Sequence, residues 1–573
     1  MTSLEVLLSE RFAPAYAAVA GRPADPVVRR STVADYQSDG SLALARSLGR
    51  PPREIATEVL ARVDLTGLAA TASVSGPGFI NVTVSGAVLT GLLAEMHSDD
   101  RLGVPAVALV ESVVIDYSAP NVAKEMHVGH LRSTVIGDAA ARLLTWLGHD
   151  VRRANHIGDW GTPFGMLIEH VLDLGEAEAA HELSIGDLTG FYRAARVKFD
   201  ADPSFAERSR RRVVALQSGD EATLRLWRLL VAESERYFLA VYDVLGVTLT
   251  QDDFVGESIY NPSLQSVVDE LQARGLLRDS DGAKVVFPAG FTGRDGEPLP
   301  IIVRKSDGGY GYGATDLAAI RHRTQSVKAT RLLYVVGSPQ HQHLEMVFQV
   351  AREAGWLSDS AEATHVAFGQ VLGRDGKRFA SRADGAVKLA DLLAEAVARA
   401  RAIVAEKNPS LSPAEQDAVA HAVGIGAIKY ADLSSHRLKD YTFDWDRMLA
   451  TTGDTAAYLQ YTHARIRSIF RKGGVTATDA GALVLLEEVE RSLVLELLGF
   501  PAVIDEVVAT LEFHKLTAYL QALAGAYTAF HERCPVLRAS PSVRASRLAL
   551  CDLTARVISQ GLDLLGITAP ERM

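Results

Sequence analysis

With 573 residues, 48% hydrophobic and 23% charged, the chain has ordinary globular composition and enough apolar material for roughly two to four domains. A formal net charge of −11 excludes indiscriminate polyanion binding, which depends on neutralising many phosphates, but leaves room for local basic surfaces. Cys534 and Cys551, with no C-x-x-C pair and no nearby histidine spacing, exclude a zinc ribbon or a disulfide framework and read as packing residues.

The opening MTSLEVLLSERF carries early acidic residues and no small-residue cleavage pattern. No apolar run reaches the length of about 18 residues that would span a bilayer, so the expectation is a soluble, cytoplasmic protein without a membrane partner. An amphipathic helix is predicted near Ser3 to Ala18, followed by helical stretches at Leu42 to Leu48 and Arg53 to Val63. After the turn Gly76-Pro77-Gly78, the alternation of Phe79 to Val84 predicts a strand, giving a small α/β domain over residues 1–105.

From Ala106 the pattern changes. The run AVALVESVVIDYS reads as strand, Pro120-Asn121 breaks it, and a helix begins near Gly129 with Leu131, Val135, Ala139, Leu143 and Leu147 on one face. Gly148 ends that helix before a strand-like Val151 to His156, completing a βαβ unit. Alternation continues to Leu389, as in a parallel sheet covered by helices, interrupted by a largely helical insertion over about 170–300. Beyond it strand signals vanish. Ser412-Pro413-Ala414-Glu415 offers an N-cap, a first-turn proline and a capping-box glutamate, so an all-α domain is predicted for 390–573. Two basic clusters, Arg210-Arg211-Arg212 and Arg465, Arg467, Arg471 and Lys472, read alone as solvated helix faces.

Chemistry concentrates at the first strand-to-helix turn, His127-Val128-Gly129-His130. Unpaired N–H groups and the positive end of the helix dipole favour phosphate there. Two imidazoles can donate hydrogen bonds to oxygens that gain charge in a transition state, Gly129 lets a ligand approach the backbone, and Lys124 and Arg132 are expected to add cations. Taken by itself, H-x-G-H can also be chance, with histidines that merely cap.

The segment SAPNVAKEMHVGHLRSTVIGDAAARLL with RANHIGDWGTPFG resembles the signature region of class I arginyl-tRNA synthetases, and the similarity runs over essentially the whole chain. DYQSDGSLALARSLG and GPGFINVTV are similar to that family's N-terminal domain, VRKSDGGYGYGATDLAA and YVVGSPQHQH to its substrate half-site. YADLSSHRLKDYTFDWDRML and QGLDLLGITAPERM are similar to its anticodon domain. The implied fold is a Rossmann-type parallel-sheet catalytic domain over 106–389. A small α/β N-terminal domain contacting the tRNA D-loop or elbow precedes it, and an all-α anticodon-binding bundle over 390–573 follows.

The resemblance implies activation of L-arginine by ATP, with Mg2+ carried on the phosphates and no zinc, then transfer to the 2′-hydroxyl of the terminal adenosine of tRNA-Arg. It also implies that activation requires tRNA. His127, Gly129 and His130 are expected at the ATP. Class I enzymes usually supply further cations from a KMSKS-type loop, but here the stretch reads Gly376-Lys377-Arg378-Phe379-Ala380-Ser381-Arg382, with Ser381 at the usual second lysine position. Lys124 occupies the place of the lysine thought to compensate, so Lys124 and Arg382 are expected to share the role, with Lys377 and Arg378 as further candidates at the ATP. Asp316 is the first choice for the guanidinium, which needs a carboxylate fork partner. Tyr312 is expected to pack on the side chain, and Asp116, Asn121 and Gln340 to hold the ammonium, carboxylate and remaining contacts. Read without the family, Asp316 is equally a helix N-cap.

For tRNA, stacking on unpaired bases is expected rather than groove reading. Phe79 and Asn81 are matched to a D-loop base, and Tyr458, Gln460, Tyr461 and Met573 to the anticodon loop, with Arg465 and Arg467 on phosphates. Tyrosines at helical spacing are otherwise core residues. Two competing readings are an adenylate-forming ligase acting on a small amine, which would need neither flanking domain, and a silent tRNA-binding scaffold, which would have no chemical reason to keep Lys124, His127, Gly129 and His130 together. A monomer is expected.

Overall fold

The computed structural model describes residues 3–573 apart from Thr162, 185–187, 294, 378, 382–384 and 477–482. The chain forms two compact units, one of residues 106–450 with 564–567, the other of residues 1–105, 451–563 and 568–573.

In the first unit a four-stranded parallel sheet is built from β1 (Ser112–Asp116), β2 (Asp150–Ala154), β3 (Arg331–Tyr334) and β4 (Glu362–His365), in the order β4-β3-β1-β2. The apolar Val113-Val114-Ile115 of the central strand is buried, as a parallel strand covered on both faces requires. Register aligns the carboxyl ends, with Asp116 opposite both Tyr334 and Ala154, and Tyr334 opposite His365. That edge is where such sheets bind ligands. The expected strand from Ala106 starts only at Ser112, and Leu109 and Val110 lie exposed before it.

The crossover helix α1 (Val128–Leu147) ends on Gly148 in the left-handed conformation at φ 101°. Leu131, Val135, Ala139, Leu143 and Leu147 are buried as predicted, but so are Arg132, Ser133, Thr134 and Asp138. The sequence pattern shows one apolar face because it registers only the sheet side. Helices Leu389–Lys407 and Pro413–Leu433 cover the helix as well, which requires its polar residues to find partners.

The inserted region supplies helices Pro163–Leu174, Glu176–Ser184, α2 (Leu188–Ala201), Pro203–Gln217, Glu221–Leu245 and Asn261–Ala273. Asp202 and Asp220 cap two of them by accepting from Ser204 and Thr223 N–H groups. It closes with an antiparallel sheet of Leu277–Ser280, Ala283–Val286 and Ile301–Arg304, strands the helical expectation did not include. Helices α3 (Tyr312–Gln325) and α4 (His341–Glu353) flank β3. Leu317, Ile320, Leu332, Val347, Phe348 and Trp356 share its core.

The division at 450/451 lies beyond the expected boundary at 389/390. Tertiary contacts account for the shift. Strand Val371–Leu372 pairs with Tyr441–Thr442, and Lys429 Nζ donates to Gly246 O at 3.0 Å and Gly566 O at 2.7 Å.

The second unit holds a four-stranded antiparallel sheet of Val28–Arg30, Tyr36–Ser38, Phe79–Val84 and Ala69–Ser75, in that order. It also holds long helices, among them Ala456–Gly473, His514–Arg533 and Pro541–Leu564. Arg491 ties the two parts together, bonding the buried Asp35 and donating to Val84 O at 2.7 Å. Arg556 donates to His97 O and Asp99 O at 2.6 and 2.8 Å. Cys534 and Cys551 are buried free thiols. Among the described residues no helix is long and apolar enough to cross a membrane.

Candidate active site

The loop leaving β1 turns through Ser118, Ala119 and Ala123 at positive φ and enters α1 at His127. Here the sequence builds an unusual cap. His127 Nδ1 accepts from Gly129 N at 3.0 Å, and His130 Nδ1 accepts from His127 N at 3.1 Å, so two of the helix's orphan N–H groups are satisfied by imidazoles. An N–H can only donate, so His127 Nδ1 is an acceptor and its neutral ring carries the proton on Nε2, whereas His130 Nδ1 faces both His127 N and, at 3.3 Å, His127 O. The rings lie 4.1 Å apart. Burial, then the neighbouring His127, lowers the His130 pKa to about 4, and burial with Lys124 lowers that of His127. Neutral donors therefore sit at a helix N-terminus. A Cβ on Gly129 would come 2.7 Å from His127 Cε1 and 2.8 Å from Nδ1, so the glycine makes room for the capping ring as well as for a ligand.

Lys124 is exposed beside this turn, its Nζ 4.5 Å from the centroid of the Tyr192 ring on α2. Arg132 is not a cation of the turn. It is 1% exposed, pairs with Asp432 at 3.2 Å, donates to Lys439 O at 2.9 Å and lies over Tyr441. It lies two residues beyond His130 on the same helix, on the buried side, and so braces the turn from beneath.

The late basic loop is brought to the same place from more than 250 residues away. Val128 N donates to Val387 O at 3.0 Å, Leu389 N to Met126 O at 2.9 Å, and Lys388 Nζ bonds the buried Glu125 at 2.9 Å. The loop is anchored by Arg374, which bridges Asp444 and Asp446 at 2.9 and 2.8 Å, and by Phe379 stacked on Phe443 at 4.7 Å. Lys377 is exposed, and the backbone of Ser381 pairs with Gly385. Arg378 and Arg382 lie outside the described residues.

At the carboxyl edge of the sheet a second cluster is charged rather than neutral. Asp316 sits within α3, whose N-cap is Gly311, so the capping alternative for it does not hold. His343 Nε2 on α4 bonds Asp316 Oδ2 at 2.6 Å, and this bond raises the His343 pKa. Asp116 is buried, its Oδ2 2.6 Å from Arg323 Nη2 and 3.6 Å from His156 Nδ1. Burial opposes its charge, but Arg323 and His156 prevail and hold its pKa low. The Asp116 carboxylate was expected to face a ligand ammonium, yet it already shares one oxygen with two protein cations.

Glu257 belongs to this cluster and carries no sequence signal. Asp159 accepts from Ser258 N at 2.9 Å and Ser258 Oγ at 2.6 Å, and Glu257 N donates to Ile157 O at 3.1 Å. The His156-Ile157-Gly158-Asp159 stretch thus holds the 3-10 turn Glu257–Tyr260 in place. Burial, reinforced by Asp316 and Asp159 against His156, raises the Glu257 pKa to about 7. Tyr312 is 77% exposed at the start of α3. Asn121 and Gln340 are exposed on neighbouring loops, Asn121 bridged to Gly158.

The candidates of the other unit are more dispersed. Asn81 is buried and donates to Ser75 Oγ at 2.7 Å, beside a half-buried Phe79. Helix Ala456–Gly473 carries Tyr458, Gln460, Tyr461 and Arg465. Gln460 is fully buried and donates to Thr568 O at 2.8 Å, His463 bonds Pro570 O at 3.0 Å and Arg471 donates to Glu571 O at 2.9 Å. This helix therefore clamps the tail that ends at Met573. Tyr461 is exposed, Tyr458 and Arg465 half-buried, and Arg467 pairs with Asp552 at 3.1 Å. Of the early arginine cluster, Arg212 bonds the buried Glu169 at 2.8 Å, and Arg210 and Arg211 face Glu207. Among the described residues no group of three or more His, Cys, Asp or Glu side chains is placed to hold a metal ion.

Residues 93–445 match the family described as tRNA synthetases class I (R), catalytic domain. Residues 459–573 match the DALR anticodon binding domain, and residues 4–84 the arginyl tRNA synthetase N terminal domain. The chain is 53% identical to an arginine–tRNA ligase of Thermobifida fusca and 49% identical to one of Escherichia coli O127:H6, each over 100% of both chains. Among solved structures it is similar to the arginyl-tRNA synthetases of Plasmodium falciparum (TM-score 0.87) and Thermus thermophilus (TM-score 0.81). Both are 28% identical, with 100% of each chain covered.

Proposed function

The chain belongs to the class I arginyl-tRNA synthetases, and we propose that the reaction of that family runs on the two clusters just described. It is a ligase: L-arginine is activated by ATP to arginyl-adenylate with release of pyrophosphate, and arginine is then transferred to the 2′-hydroxyl of the terminal adenosine of tRNA-Arg. In the first step the attacking carboxylate is already ionised, so no general base is needed and catalysis rests on positioning and charge stabilisation. His127 and His130 donate through Nε2 to phosphate oxygens as their charge grows, and Gly129 leaves space for the nucleotide. Lys124 supplies the cation that the late loop lacks, with Lys377, Arg378, Ser381 and Arg382 completing the ATP contacts. Mg2+ enters with ATP, as part of the substrate. No zinc takes part.

The observation that carries the arginine assignment is the Asp316 carboxylate, held by His343 at 2.6 Å at the carboxyl edge of the sheet, with Glu257 near enough for Asp316 to help burial raise its pKa. A guanidinium between them relieves that repulsion and replaces His343 on Asp316, which a neutral side chain cannot do. Tyr312 covers the site, Asp116 offers its second oxygen to the ammonium, and Asn121 and Gln340 hold the remaining polar groups. For tRNA, Tyr461 is the first stacking candidate because it is exposed, with Phe79, Asn81, Tyr458, Gln460, Arg465 and Met573 shaping the surfaces around it. The protein acts as a cytoplasmic monomer.

The test is pyrophosphate exchange into ATP with total tRNA present, followed by charging with labelled arginine. Exchange that depends on arginine and not on lysine or glutamate is expected, and equal responses to all three would sink the specificity. Robust exchange without tRNA would remove the expected tRNA requirement alone.

A further inference from the structure

The inserted region reaches the phosphate turn through helix Glu221–Leu245, whose Ser234 Oγ accepts from Ala123 N at 2.9 Å, and through α2. Thr189 Oγ1 accepts from Glu125 N at 3.3 Å, and Tyr192, one turn later, presents its ring to Lys124 Nζ at 4.5 Å from the centroid. On the other side, Lys388 bonds Glu125 and the 387–389 backbone pairs with 126–128. The short segment Lys124-Glu125-Met126 is therefore gripped from both sides, and its own lysine is held only at the tip. A lysine side chain is a flexible four-carbon stem that loses much rotamer freedom when it is fixed. An ammonium over an aromatic face is attracted by the ring quadrupole while keeping its N–H groups available to other acceptors. The position matters because Lys124 is near enough to His127 to oppose its protonation.

We infer that Tyr192 is a positioning residue for activation, its ring holding the Lys124 ammonium beside the His127–His130 turn before ATP arrives. This rests on the reading of Lys124 as the cation that replaces the missing lysine of the late loop. Tyr192 touches neither phosphate nor arginine; it acts through the lysine, by reducing the freedom that Lys124 must lose when it meets the phosphates. The quadrupole, not the hydroxyl, is what the arrangement uses.

A double-mutant cycle on the full chain tests it, with tRNA-dependent pyrophosphate exchange as the readout. Tyr192→Leu should lower the maximal exchange rate roughly three- to tenfold, the range expected for losing one cation–π contact, and leave the KM for arginine unchanged. Tyr192→Phe, which keeps the ring, should restore most of that rate. In a Lys124→Ala background Tyr192→Leu should cost nothing further, because the partner is gone. Losses that simply multiply, so that Tyr192→Leu costs as much in the Lys124→Ala background, or a Tyr192→Phe as slow as Tyr192→Leu, overturn the inference. If Lys124→Ala slows exchange while Tyr192→Leu does not, the inference alone fails. If Lys124→Ala is itself near normal, the reading of Lys124 fails and takes the inference with it.

Discussion

The phosphate turn and the acidic cluster lie at the same edge of one sheet, yet they are built in opposite ways. The turn is local: His127, Gly129 and His130 cap one helix within four residues, with both imidazoles bonded to its backbone and their pKa values lowered by burial. The acidic cluster is assembled from four distant segments that supply Asp116, Glu257, Asp316 and His343. Its members are charged and coupled, so that Glu257 is poised near neutral pH. A local motif fixes donors whose protonation does not change near pH 7. The assembled cluster, on the proposed function, would give selectivity for charge together with sensitivity to pH.

The largest effect should come from a residue that breaks this division. Arg132 is written inside the local motif but works through tertiary contacts, buried against Asp432. Replacing it by methionine (Arg132→Met) leaves that carboxylate unpaired and should cost about 3 kcal/mol or more in denaturant unfolding. A stability within 1 kcal/mol of the parent, roughly the scale of an exposed pair, would show that the bridge does not brace the turn.

His130→Ala comes next. On the proposed role, in which His130 donates to developing phosphate charge, the maximal exchange rate should fall roughly a hundredfold with the KM for arginine little changed. A near-normal rate would make the ring a helix cap and nothing more. Asp316→Asn should do the reverse, raising the KM for arginine by roughly ten- to a hundredfold, as expected for losing a charge-assisted bond, while the KM for ATP holds. Equal changes in both constants would erase the distinction between the clusters.

The smallest effect is a pH profile. On the proposed site a guanidinium would bind the ionised form of Glu257, whose pKa burial raises to about 7, so below that pH arginine would have to displace a proton. Its KM should rise by up to about tenfold per pH unit as pH falls below 7, and level off above. Glu257→Gln should flatten the profile, and any slope that survives belongs to His343, which occupies Asp316 when protonated. The maximal rate should show no His130 titration over the same range, since that group has lost its proton well below it. A KM for arginine constant from pH 6 to 8 would remove Glu257 from the site.

The phosphate turn was legible because its physics is short-range. A strand, a break, a glycine between two histidines and a helix with a 3.6-residue apolar period are all visible within 40 residues. Asp316 was legible only through family resemblance, and Glu257 not at all, because a glutamate after a glycine carries no pattern until Asp159 pins its turn. Gln460 illustrates the converse. It sits among residues matched to the anticodon loop, yet it is buried, and its amide holds Thr568.

The amino-acid order by itself determined the βαβ start of the catalytic unit, the donor pair at its first turn and the substitution of Ser381 in the late loop, since each is set by neighbours in sequence. Only the tertiary structure decided that the helices of 389–433 stay with the sheet, that the 1–105 segment joins the later helices through Arg491 and Arg556, and that Arg132 is a strut rather than a phosphate ligand. Burial and long-range ion pairing depend on which distant segments meet, and no spacing along the chain records those meetings. Lys124 stands between the two cases. Sequence placed it before the histidines, and the fold placed Tyr192 beneath its charge.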